Sequence, residues 1–77
     1  MDAGVPVTAD LTAGVVRLAV RPGAWVAQGD TLLVVESMKM EIPIAAPVSG
    51  RVRELRVRPA DVVAEGDVLA ILEEGAG

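Results

Sequence analysis

Aliphatic and β-branched residues recur in short runs that alternate with polar positions and stop at Gly, Pro and Asp. Val16, Leu18 and Val20 fall on one face of an extended segment, with Arg17 and Ala19 between them. This is the period of a half-buried strand. The pattern predicts strands over 5–9, 14–20, 25–27, 31–37, 40–45, 50–57, 62–64 and 68–72. No segment reads as a helix. Turns are expected at Arg21-Pro22-Gly23, Gln28-Gly29-Asp30, Arg58-Pro59-Ala60 and Glu65-Gly66-Asp67. Proline presets φ for the first central turn position, and Ala60 standing where Gly23 stands predicts a type I turn without positive φ.

The chain repeats itself. Ala13 to Glu36 aligns with Ser49 to Glu73. Gly14 matches Gly50 and Val16 matches Val52 at a spacing of 36, whereas Pro22, Val26, Gly29-Asp30, Leu32 and Glu36 match Pro59, Val63, Gly66-Asp67, Leu69 and Glu73 at 37. On this alignment the second half carries one extra residue between Val52 and Val57, and a β-bulge near Arg53-Glu54 would restore the alternation.

Two similar four-stranded sets, each too small to bury an apolar face alone, are expected to pack on each other as a two-fold related, all-β sandwich or flattened barrel of eight strands. The expected core is Val16, Val20, Val26, Leu32, Val34, Val52, Leu55, Val57, Val63, Leu69 and Ile71. Residues 37 to 39 turn the last strand of the first half into the first strand of the second, so Lys39 should project from the corner between halves.

Composition narrows the chemistry. The 77 residues suit one small domain over 1–77 with an ordered core at about 5–73. The chain has no Cys and no His, which excludes disulfides, the Ser-His nucleophile pair and the usual zinc cages. A net charge of −4 argues against nucleic acid as a partner. With no apolar run of membrane-spanning length and no signal-like start, no membrane association is expected and the cytoplasm is the default location. Six of the seven basic residues are Arg, which leaves Lys39 as the only lysine.

That lysine sits in Glu36-Ser37-Met38-Lys39-Met40-Glu41, a hairpin tip without the Asn-Gly or Asp-Gly pair that commonly makes a tight turn. Something besides turn chemistry chose these residues. The segment resembles the E-A-M-K-M signature of the biotin carboxyl carrier branch of the biotinyl/lipoyl carrier domain family, and Ala46-Pro47-Val48-Ser49-Gly50 follows at the spacing such domains show. The resemblance spans about residues 5 to 73. Ser37 stands where Ala is commoner, Asp10-Leu11-Thr12-Ala13 replaces the proline-containing stretch before the first glycine, and no inserted thumb interrupts the strands.

The resemblance implies a barrel-sandwich hybrid with its attachment lysine on a hairpin tip. It implies covalent biotin on Lys39, placed there by a biotin protein ligase, and partners in biotin carboxylase and carboxyltransferase subunits. The chain would then be a carrier without catalytic residues of its own. Met38 and Met40 would flank the modified lysine as recognition residues, and Glu36 and Glu41 serve equally well as ligase contacts or as ordinary surface acids. One methionine packing into the barrel end is the plainer expectation for that pair. Two alternatives stay open: a lipoyl carrier, whose lysine is typically flanked as Asp-Lys-Ala, and an unmodified structural module.

Three other features read as structural. Arginines alternating with Val52 and Val57 in Arg51 to Arg58 fit the solvent face of a strand, with no aromatic beside them to stack on bases. Trp25, the sole aromatic, is expected to cap the core at a barrel end. Asp30 and Asp67 recur after glycine as turn residues do, and no acidic cluster suggests a metal.

Overall fold

The computed structural model describes residues 4–75, and its elements are all strands. They are β1 (Val5–Thr8), β2 (Ala13–Leu18), β3 (Trp25–Val26), β4 (Thr31–Ser37), β5 (Met40–Ala45), β6 (Gly50–Leu55), β7 (Val62–Val63) and β8 (Val68–Glu74). Each predicted strand is present, with ends differing by a few residues. They form two four-stranded antiparallel sheets, ordered β1-β8-β6-β3 and β5-β4-β2-β7. The sheets are not the two sequence halves. Each takes two strands from each half, so neither half owns a complete sheet.

The repeat is more regular than identity alone suggests. Val5 pairs with Leu72 and Pro6 with Ile71, just as Ile42 pairs with Val35 and Pro43 with Val34. Val26 pairs with Gly50 as Val63 pairs with Ala13. Every equivalence holds at a spacing of 37, so no residue is inserted in the second half. Gly50 corresponds to Ala13, and Arg51 corresponds to Gly14. The bulge near Arg53 is there, between Val52 and Glu54, and its twin lies in β2 between Val15 and Arg17. Gly14 and Gly50 are therefore not equivalent, and the two glycines answer different needs. A Cβ on Gly50 would run into the backbone carbonyl of Glu73, whereas one on Gly14 would meet only the Asp61 carbonyl at 4.0 Å.

Bulges also decide which residues form the core. Register shifts place Leu32 and Leu69 as extra residues in β4 and β8, so Leu32-Leu33 and Leu69-Ala70 are consecutive inward pairs, all at 0% exposure. Alternation then resumes with Val35 and Leu72 inside. Val34 is buried as expected, at 5% exposure, although it stands apart from the central cluster, whereas Ile71 is only half-buried and Val15 replaces the half-buried Val16. Val26, Leu32, Val52, Val57, Val63 and Leu69 are buried as expected, and Val20 and Leu55 pack against them partly exposed. Arg53, Arg56 and Arg58 face solvent. On that surface Arg51 and Arg53 pair with Glu73 at 3.1 and 3.0 Å, and Arg56 pairs with Glu54 at 3.0 Å.

Two expectations fail. Ala60 has φ of +79°, like Gly23 at +93°, so both turns after proline carry the positive φ of a type II turn. The Asp61 and Ala24 N–H groups close them on the Arg58 and Arg21 carbonyls, each at 3.1 Å. Tertiary contacts hold Ala60 there, since its own N–H donates to the Val15 carbonyl at 2.8 Å. Trp25 does not cap the core. It is 57% exposed on the edge strand β3, opposite Arg51, because its neighbour Val26 takes the inward position. Asp30 and Asp67 do close turns: each Oδ2 accepts from the backbone three residues earlier, at 2.9 and 2.8 Å.

The body measures 37 × 20 × 17 Å. At one end Gly75 donates to the Ser49 carbonyl, and the Ser49 hydroxyl accepts from Gln28 in the turn that leads into β4. Strand β4 then runs the length of its sheet to Ser37. The β4–β5 tip and residue 75 therefore occupy opposite poles.

Candidate functional site

Strands β4 and β5 pair in register from Val35 with Ile42 through Glu36 with Glu41 to Ser37 with Met40. That leaves a two-residue loop, Met38-Lys39. Both residues are left-handed, at φ +53° and +65°, the requirement of a type I′ turn, which suits the right-handed twist of paired strands. Neither is Gly or Asn. Holding a side-chain-bearing residue in this region costs on the order of 1–2 kcal/mol. The tip gives up that stability to keep a lysine and a methionine at its apex.

Lys39 is exposed, Met38 is 91% exposed and Met40 66%. Neither methionine packs into the barrel end, contrary to expectation. The turn carries Met38 beyond the last strand pair, and Met40, paired with Ser37 in that last pair, stands past the final core layer. The result is a primary amine between two adaptable thioethers, on a surface that nothing else in the described chain covers.

Below the tip, Glu36 and Glu41 face each other across the hairpin on the side opposite Ser37 and Met40. Both are exposed. Arg17 approaches Glu41 at 3.5 Å, an exposed pair of small worth. Glu36 has no ion pair among the described residues. Its counterpart at the other pole is Glu73, whose carboxyl is held below the usual carboxylate range by hydrogen bonds from Arg53 and Arg51. The positions of those arginines are occupied beside Glu36 by Val16 and Gly14. Sequence reading singled out Glu36 and Glu41 but not Arg17 or the missing arginines, which emerge only from the constant spacing of 37.

Beside the hairpin, the edge strands β1 and β5 of the two sheets bound an open groove of about 410 Å³. Its walls are related by the repeat: Pro6 and Pro43, Val7 and Ile44, Thr8 and Ala45, Asp10 and Pro47.

A family model described as biotin-requiring enzyme, of the biotin/lipoyl type, matches residues 2–72. The chain belongs to this biotin/lipoyl family. Among solved structures it is similar to part of the urea carboxylase of Kluyveromyces lactis, with 26% identity and a TM-score of 0.88 over 94% of this chain. It is similar also to part of a single-chain, multi-domain long-chain acyl-CoA carboxylase, with 34% identity and a TM-score of 0.86 over 96% of this chain. It spans only 6% and 7% of those two proteins. The lipoyl domain of the 2-oxoglutarate dehydrogenase complex from Azotobacter vinelandii shares the fold over 99% of both chains, with 23% identity and a TM-score of 0.72. No curated protein matches by sequence. The chain thus has the biotin/lipoyl domain fold, shared with parts of two carboxylases and with a lipoyl domain.

Proposed function

We propose that this domain is a biotin carboxyl carrier, with biotin joined through an amide to Nζ of Lys39. The observation that carries the reading is the apex itself: the only lysine of the chain stands between Met38 and Met40 on a left-handed two-residue turn. Lipoyl carriers typically place Asp and Ala there. An exposed primary amine with no competing lysine fits single acylation. Once bound, biotin supplies a ureido nitrogen able to hold a carboxyl group.

The chain's own residues do the positioning. The rigid β4–β5 pairing fixes the height of Lys39 above the barrel, and its flexible side chain provides reach. Tethering keeps the carried group at high effective concentration for successive sites. The partners on this reading are a biotin protein ligase, in the cytoplasm, and the biotin carboxylase and carboxyltransferase parts of a carboxylase. Glu36 and Glu41 offer the ligase carboxylates on one face of the hairpin, and Met38 and Met40 offer the carboxylase an apolar footprint. The domain itself performs no bond-making step.

The test is incubation with a biotin protein ligase, ATP and biotin, read by intact mass. One biotinyl group should add to the wild-type chain and none to Lys39→Arg. Lipoate incorporated by a lipoate ligase, with biotin refused, would instead make the domain a lipoyl carrier.

A further inference from the structure

The groove between β1 and β5 lies along the pseudo-two-fold relation of the halves, yet its chemistry is not two-fold. Thr8 and Asp10 have Ala45 and Pro47 as counterparts, so these two polar side chains belong to one half only. Strand β1 runs from Val5, beside Leu72, to Thr8, beside Val68. Thr8 and Asp10 therefore stand at the end toward the hairpin tip, with Leu11 and Ile42, while Ala45 and Pro47 stand at the pole of residue 75. The half of the groove nearer Lys39 combines a carboxylate, a hydroxyl and two aliphatic side chains. The far half has lost both polar groups.

Resting on the reading of Lys39 as a biotinyl carrier, we propose that Thr8, Asp10, Leu11 and Ile42 form a resting site for the ring of the group carried on that lysine. A bicyclic ureido ring presents N–H donors, a carbonyl acceptor and an apolar thioether face. Asp10 accepts from the ureido N–H, the Thr8 hydroxyl donates to the ureido carbonyl, and Leu11 and Ile42 cover the apolar face. Reach permits it. Ile42 is three residues from Lys39, about 10 Å along a strand, and the lysyl-valeryl arm of about ten bonds extends roughly 12 Å. Affinity need not be high, because a tethered ring meets its site at an effective concentration in the mM range, so that a Kd of about 1 mM fills it about half the time. An open groove suits such weak, reversible seating, which holds the ring between visits without hindering its departure.

The test compares amide and methyl NMR spectra of the unmodified and ligase-loaded domain, with loading confirmed by mass. Loading should shift Thr8, Asp10, Leu11 and Ile42 as well as the tip, and give NOEs from ring protons to Leu11 and Ile42 methyls. The double variant Thr8→Ala/Asp10→Ala, at two exposed positions, should melt like wild type, lose those shifts and be captured by avidin about twofold faster, as expected when half the rings are released. Shifts confined to residues 38–40 on a fully loaded chain, with an unchanged capture rate, would overturn the resting site and leave the carrier reading intact. Failure of Lys39 to accept biotin at all would remove both.

Discussion

Glu36 and Glu73 occupy the same place in the two halves of the fold, 37 residues apart, and their surroundings are opposite. Glu73 accepts from Arg51 and Arg53 at 3.1 and 3.0 Å, whereas Glu36, next to the hairpin tip, faces Gly14 and Val16 at the corresponding positions. The duplicated architecture supplies its own control. At the pole of residue 75 the carboxylate is neutralised and structural, and at the lysine pole it stays available.

This contrast predicts a difference in pH dependence. Because the folded-state pKa of Glu73 is lowered, its stabilising contribution is present above the ordinary Glu value of about 4.3 and is lost as pH falls through the folded-state value. Glu73→Gln should therefore lower the urea midpoint at neutral pH and lose that deficit in acid. Glu36→Gln should leave the neutral-pH midpoint nearly unchanged. Equal deficits for the two variants would contradict the assignment.

The left-handed Ala60 is strained where Gly23 is not. Ala60→Gly should relieve that strain, offset in part by the greater freedom of glycine in the unfolded chain, for a net gain of about 0.5–1 kcal/mol. Gly23→Ala should lose a similar amount. Chemical denaturation of both variants measures the pair.

Gly50 is glycine for want of room. Gly50→Ala would press its Cβ against the Glu73 carbonyl and force β6 and β8 apart, at a cost of about 2 kcal/mol or more. Ala13 holds the equivalent place with a Cβ, so Ala13→Gly should cost only about 0.5–1 kcal/mol. Thermal melts that ranked these variants the other way would disprove the equivalence.

Changing both Met38 and Met40 to Leu should leave folding and biotin loading largely intact, since leucine approximates methionine in volume and polarity and both side chains project into solvent. The loss should appear in carboxyl transfer from preloaded carrier. Poor loading with normal turnover once loaded would move the methionines from carboxylase contact to ligase recognition.

Local patterning was enough to locate the eight strands, the four turns, the repeat and the single lysine at the junction of its halves. Alternation and Gly/Pro punctuation are properties of neighbours along the chain, and they survive without knowledge of partners. The motif Met38-Lys39-Met40 was legible for the same reason. What lay beyond reach depends on which strands pair. Bulges at Val16, Leu32, Arg53 and Leu69 arise when one strand has a residue more than its partner can match, so the burial of Leu33 and Val35 together with Leu32 could not be read from either strand alone. The positive φ of Ala60 is imposed by the Val15 carbonyl from across the fold. The exchange of strands between halves brought Thr8 and Asp10 alongside Ile42, and set Glu36 without arginines opposite Glu73 with two. Those contacts join residues far apart in sequence, and only the closed sandwich brings them together.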